Sequence, residues 1–182
     1  YYDLKSSYGW GDLYELIDVL HNSSSNLDNK LNVDRTLWMH AFNYTLINFD
    51  SYVGYGQNYY LYKSLSNQFQ PILWDLNMSF GGFRLTDATQ AFFNGFDINQ
   101  AQTMDPLGFL SNNFLSPRPL ISNILSDPRK QRMYLAHMKT IVEDHFSNQD
   151  YFSRAQYLQN LISNDVQNDP NKFYSLNDFT TN

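Results

Sequence analysis

Four oxygen-bearing side chains, Asp50, Asn58, Asp75 and Asn77, fall where the sequence places the ends of elements and not their middles. Asp50 follows directly on a helical pattern that ends near Asn48. Asn58 stands just before a strand-like run, Asp75 closes the next such run, and Asn77 comes two residues later. Positions of this kind are held by rigid elements yet open onto a cleft. A few carboxylate and amide oxygens suit a hard cation such as Mg²⁺, because they leave coordination places for phosphate and water.

The elements that must position these groups are legible. Residues 11–20 space Leu13, Leu16, Ile17 and Leu20 on one helical face, with Asp12 and Glu15 in the first turn, where the helix dipole favours acids. Residues 21–29 are polar and read as a loop. Asp34 is the expected N-cap of a second helix running to about Asn48, with Leu37, Trp38, Ala41, Phe42, Thr45 and Leu46 as its buried stripe. Tyr59 to Lys63 and Phe69 to Trp74 predict a β-hairpin (about 58–74), with Ser66-Asn67-Gln68 as its turn and Pro71 indicating an edge strand. The Tyr59, Tyr60 and Tyr62 cluster reads as strand packing. Residues 81–115 show no sustained period and predict an irregular segment over the core. Ser116-Pro117 predicts the start of a short helix to Leu125, Asp127-Pro128 a longer one to about Phe146, and Asp150 a third to about Val166, followed by a short polar tail. The expected fold class is α+β, predominantly α, in a single domain over residues 1–182.

Composition removes several function classes. The chain has 182 residues, enough for one domain with a real core, at 42% hydrophobic and 17% aromatic content. Lys+Arg of 12 against Asp+Glu of 18 leaves a net charge of −6, which argues against a nucleic-acid partner or an anionic membrane surface. No run approaches a membrane span. Cysteine is absent, so disulfides, thiolate metal sites and thiol nucleophiles are excluded. No phosphate-binding glycine loop, nucleophile elbow or zinc-binding histidine pair is present. His40 and His137 lie on predicted helices without an acidic neighbour at helical spacing, and read as structural.

The order helix, Asp, Asn, hairpin, Asp is that of the protein-kinase type of phosphoryl-transfer enzyme, in which the first Asp serves the acceptor hydroxyl while Asn and the second Asp hold metal on the ATP phosphates. Three blocks make the resemblance narrower. Asn48-Phe49-Asp50-Ser51-Tyr52, Gln57-Asn58-Tyr59-Tyr60-Leu61-Tyr62-Lys63 and Pro71-Ile72-Leu73-Trp74-Asp75-Leu76-Asn77-Met78-Ser79-Phe80-Gly81 resemble, in order, the signature of the spore-coat-protein-H (CotH) kinase family. The resemblance implies the large lobe of an atypical protein-kinase-like fold. It also implies transfer of phosphate from ATP, with Mg²⁺ or Mn²⁺, to Ser or Thr of a secreted or surface protein, by a protein that is itself secreted or surface-associated. By position it makes Asp50 the catalytic Asp, and Asp75, Asn58 and Asn77 metal ligands.

Two residues depart from the family words. Asn77 stands where a second Asp is common, and Gln57 where many relatives have His. The residues before Asp50 read as helical and supply no strand-borne Lys with an acidic partner; Lys5 and Lys30 are expected in loops. A chain that opens on Tyr1 and lacks a small lobe reads as a piece of a longer protein, inactive in isolation. The alternative is a non-catalytic adhesion or scaffold module of the same fold. A glycosidase pair of Asp50 and Asp75 would be decided by their separation.

Overall fold

The computed structural model of the chain describes residues 3–7, 9–83, 97–108 and 118–181. It divides into two compact units, Tyr1–Lys139 and Thr140–Asn182. The architecture is predominantly helical with one two-stranded antiparallel hairpin, as the sequence predicts.

In the first unit, α1 (Trp10–Asn22) buries Leu13, Leu16, Val19 and Leu20. The expected loop over 21–29 is instead a 3₁₀ turn at Ser24–Asn26 followed by α2 (Leu27–Lys30). Leu27 explains the difference: one apolar residue in a polar stretch is buried and pulls its neighbours into a helical turn. Ion pairs join Lys30 to Glu15 at 2.7 Å and Lys63 to Asp12 at 2.5 Å.

The next helix, α3 (Val33–Thr45), organises the unit. Its N-cap is Asn32, whose side chain accepts from the Arg35 amide at 3.0 Å, and not Asp34, which lies one residue inside the helix. It is also buried more widely than a single stripe. Val33, Thr36, Leu37, Met39, His40, Ala41, Asn43 and Tyr44 are buried, while Trp38, Phe42 and Thr45 are only half-buried. The helix stops at Thr45, short of the predicted Asn48. The Ile47 amide donates to Tyr44 O at 3.0 Å and the Asn48 amide to Asn43 O at 2.8 Å. This is a Schellman ending, with Ile47 at φ 51° where glycine is usual.

The hairpin pairs β1 (Tyr59–Lys63) with β2 (Phe69–Leu73), Tyr59 opposite Leu73 and Lys63 opposite Phe69. Strand β2 is fastened to the start of α3. The Asn32 amide donates to Phe69 O at 2.9 Å, Asn32 Nδ2 to Gln70 Oε1 at 2.8 Å and Arg35 Nε to Pro71 O at 2.9 Å. Pro71 therefore sits on an edge strand whose carbonyl is used from outside the sheet. Tyr59 packs edge-on against Tyr52 at 5.1 Å, in keeping with a packing role. Tyr60 and Tyr62 differ from expectation: both are exposed, and Tyr60 meets Trp74 edge-on at 5.3 Å.

Past the hairpin, α4 (Ile98–Gln102) carries a full capping box between Asp97 and Gln100 inside the stretch expected to be irregular. The predicted Ser116-Pro117 cap lies outside the described residues, and α5 (Pro119–Ser122) begins with Pro119 in its first turn. Asp127 and Pro128 open α6 (Pro128–Ile141) as predicted. Tyr134 of α6 is fully buried, and burial raises its phenol above the ordinary range, with Tyr44 and Asp105 adding to the effect. His137 stacks on Trp38 at 4.0 Å and its Nε2 lies 2.8 Å from Asp34 Oδ1.

The second unit contains a π-helical turn at Val142–Phe146, then α7 (Asp150–Asn168), entered through Gln149 at φ 67°. Phe146 stacks on Tyr151 at 4.9 Å. The expected polar tail holds a further helix, α8 (Leu176–Thr181). Ser175 and Asp178 cap it reciprocally: the Asp178 amide donates to Ser175 Oγ at 3.1 Å and the Ser175 amide to Asp178 Oδ2 at 2.9 Å. Gln159 Nε2 donates to Phe179 O at 2.5 Å and ties α8 to α7. Among the described residues no helix is long and apolar enough to cross a membrane.

Candidate functional site

The segment after α3 is built to present one side chain. Asn48, Phe49, Ser51 and Tyr52 are all buried, and Asp50 alone among these five residues is half-exposed. Each buried neighbour is held by a contact of its own. Asn48 Nδ2 donates to Asn43 Oδ1 at 3.0 Å, and Ser51 Oγ donates to Asn48 O at 2.7 Å. Tyr52 OH accepts from the Leu120 amide at 2.9 Å. Phe49 meets Tyr44 edge-on at 5.5 Å.

The turn that follows is equally constrained. The Tyr55 and Gly56 amides both donate to Ser51 O, at 2.9 and 3.1 Å. Gly54 has no room for a side chain, because a Cβ there would lie 2.0 Å from Phe49 O. Its own carbonyl accepts from the Arg118 guanidinium, Nη2 to O at 2.5 Å, and Arg118 is buried. Residues 118–120 thus grip the turn from a distance of more than sixty positions in sequence. His40 supports them from α3. Its Nε2 donates to Leu120 O at 2.9 Å and its ring lies 5.6 Å from that of Tyr52. Burial lowers the His40 pKa to about 4, so the imidazole is neutral at pH 7. It is a core histidine, as the sequence suggests.

Asn58 comes back to Asp50 from the mouth of the hairpin. Its Nδ2 donates to Asp50 O at 2.8 Å and to Asp50 Oδ2 at 3.1 Å. An amide that spends both N–H groups in this way keeps Oδ1 available as a hard acceptor. Gln57 Nε2 donates to the other carboxylate oxygen, Asp50 Oδ1.

Asp75 and Asn77 lie on the far side of the hairpin mouth. Tyr59 pairs with Leu73, so Asn58 and the residues just past Leu73 leave the sheet at the same end. Both Asp75 and Asn77 are exposed. The turn that carries Asn77 is fastened to the end of α3: the Phe80 amide donates to Leu46 O at 2.6 Å and the Gly81 amide to Ile47 O at 3.2 Å. With β2 bound to the start of α3 and this turn to its end, 69–81 runs alongside the helix, about 20 Å long at 1.5 Å per residue. These connections bring the turn after Asn77 to the end of α3 that leads into Asp50, with Asp75 between the two attachments.

Backbone strain marks the same place. Of the six non-glycine residues with positive φ among those described, four lie here: Ile47 at 51°, Asn58 at 57°, Asp75 at 56° and Phe80 at 60°. Such conformations cost about 1–3 kcal/mol each and cluster where a site over-determines the backbone.

These words and this geometry can be set beside known proteins. The family model described as CotH kinase protein matches residues 2–182. The chain belongs to the CotH kinase family. No curated protein and no solved structure matches it. The helical architecture with one hairpin fits the kinase-like fold of that family. Two of the four candidate residues, Asp50 and Asn58, are in direct contact, while Asp75 and Asn77 share their end of the hairpin. Gln57, Arg118 and Leu120 join them without having been singled out as site residues by the sequence. Gln57 was visible only as a departure from the family word, and the other two carried no local signal.

The donor set suits a CotH kinase's divalent metal. Asp75, Asn58 and Asn77 would each bind a cation through oxygen, which is hard-cation chemistry. Among the described residues no group of three or more His, Cys, Asp or Glu could hold a metal ion, so a metal here depends on the amide oxygens. Lys63 is a strand-borne lysine with an acidic partner, Asp12, but it stands at the turn end of β1 (about 17 Å along the chain from Asn58 at 3.3 Å per residue) and does not serve this site. Lys30 lies on α2, not in the expected loop, and is paired with Glu15.

Proposed function

We propose that this CotH-family chain carries the metal-bearing and acceptor-activating half of an ATP-dependent protein Ser/Thr kinase. The observation that carries the reading is the Asn58 amide bonded to both the main-chain carbonyl and the carboxylate of Asp50. That contact couples the residue that would meet the acceptor hydroxyl to one that would hold metal. Asp50 would take the hydroxyl proton as the acceptor oxygen bonds to the γ-phosphorus. The bond from that phosphorus to the bridging oxygen breaks, and ADP leaves with the electron pair. Asp75, Asn58 and Asn77 would hold Mg²⁺ or Mn²⁺, which supplies charge neutralisation on the ATP phosphates. The acceptor, on the family resemblance alone, is a secreted or surface protein, and this protein is itself secreted or surface-associated.

One observation favours a second reading, a non-catalytic scaffold of the same fold. Asn77 is neutral where the family resemblance leads one to expect a second carboxylate, which lowers the charge available to a cation. Incubation of the full-length protein with labelled ATP, Mn²⁺ and a generic acceptor separates the two. The kinase reading expects metal-dependent label transfer that is lost in Asp50→Asn and in Asp75→Ala. The scaffold reading expects no transfer and no ATP binding by calorimetry.

A further inference from the structure

Both oxygens of the Asp50 carboxylate are held, and from consecutive residues. Gln57 Nε2 donates to Oδ1 and Asn58 Nδ2 to Oδ2. An aspartate left to itself has a broad, two-fold χ2. Asn58 alone leaves the carboxylate free to tilt about its Oδ2 contact, and a second donor on Oδ1 removes that freedom. Gln57 is exposed, so the core does not require it, and its amide is a donor that adds no charge beside a carboxylate. Its reach is set by the turn behind it. Gly56 at φ 70° reverses the chain just ahead of Gln57, and Asn58 at φ 57° turns it again into β1.

We propose that Gln57 is a positioning residue that fixes the plane of the Asp50 carboxylate from the Oδ1 side. An ionised carboxylate offers about four lone-pair directions. With one on each oxygen occupied by an amide, the remaining directions point at fixed places in the cleft, where an acceptor hydroxyl can meet them. The inference rests on the kinase reading for what Asp50 does, but the contact itself is independent of that reading.

Two measurements test it. In the full-length protein, Gln57→Leu keeps bulk and removes the donor. The expected result is a kcat lowered about ten-fold with KM for ATP within about two-fold, since the loss is one of orientation. Gln57→His restores most of the rate, because an N–H returns, and Gln57→Glu loses more than Gln57→Leu, because a like charge faces Asp50. The thermal midpoint stays the same in all three. An unchanged kcat in Gln57→Leu, or no recovery in Gln57→His, overturns the proposal. The second measurement needs no activity. In the NMR spectrum of the wild-type chain, the Gln57 side-chain amide should move on Asp50→Ala while that of Gln68, bonded to Asp28 O at 2.7 Å, stays in place. A Gln57 signal indifferent to Asp50→Ala overturns the proposal. Absence of phosphate transfer in the wild type, with a Gln57 signal that does respond, upholds the hold on Asp50 and overturns the kinase reading instead.

Discussion

The two sides of the candidate site are built on different principles. The Asp50 side is backed by four buried residues, a Schellman ending and a buried guanidinium, and its carboxylate is bonded on both oxygens. The Asp75 side is an exposed turn attached to α3 by two main-chain hydrogen bonds at Leu46 and Ile47. On the proposed kinase reading, the contrast matches what each side is asked to do. A group that meets an acceptor hydroxyl must be placed to within a fraction of an ångström before the substrate arrives. Oxygens that meet a hydrated cation and its phosphates must remain open to water and ligand. Rigidity is therefore concentrated at Asp50 and access at Asp75 and Asn77, with Asn58, bonded to Asp50, joining the two.

Four substitutions or conditions probe the difference between the two sides, and the first is the most damaging. Asp50→Asn should lower phosphate transfer by about 10³-fold or more, roughly 4 kcal/mol of transition-state stabilisation, with the thermal midpoint unchanged. A loss of folding in that variant would mean that Asp50 is structural. Gly54→Ala should destabilise the first unit by about 3 kcal/mol, because its Cβ meets the Phe49 carbonyl and the turn must shift. Denaturant unfolding reads that value, and a change below about 1 kcal/mol would show that the turn gives way freely.

Acid should act through His40. Its folded-state pKa of about 4 lies below the unfolded value of 6.5. The unfolded chain therefore binds the extra proton between those values, and stability falls as pH drops from 6.5 toward 4. The full effect is about 3 kcal/mol, present above pH 6.5 and lost near pH 4. It should vanish from the stability–pH curve of His40→Gln, and an unaltered curve in that variant would assign the acid sensitivity elsewhere. The smallest effect belongs to the exposed side. Asn77→Asp adds a carboxylate to the metal-ligand set and should tighten Mn²⁺ binding about ten-fold in a calorimetric titration, about 1.4 kcal/mol. No change would place Asn77 outside that set.

Much of this was legible in the residues, for identifiable reasons. The hairpin is readable because Tyr59 to Lys63 and Phe69 to Leu73 have strand composition on both sides of a polar turn. Asp50 and Asn58 are readable because each stands at an element's end within a specific word. The end of α3 is not readable: a Schellman ending is signalled by glycine, and here Ile47 takes the left-handed position because tertiary contacts at Leu46 and Asn48 hold it there. The cap at Asn32 was hidden behind Asp34, an equally good capping type two residues later, and the choice is made by Phe69 and Gln70 across the fold. Arg118, Leu120 and His40 reach the Asp50 turn over long sequence separations, and such pairings leave no periodicity to read. Gln57 lay in plain sight as a departure from a family word, but only the distance to Asp50 gives it a role.

The division of labour across the hairpin mouth is tested most directly by calorimetric titration of ATP in Mn²⁺ into the wild-type full-length protein and into its Asp50→Asn and Asp75→Ala variants. Asp50→Asn is expected to bind ATP like the wild type while transferring no phosphate, and Asp75→Ala to lose metal-dependent ATP binding. Equal binding by Asp75→Ala and wild type, or loss of binding in Asp50→Asn with its fold intact, would contradict that division.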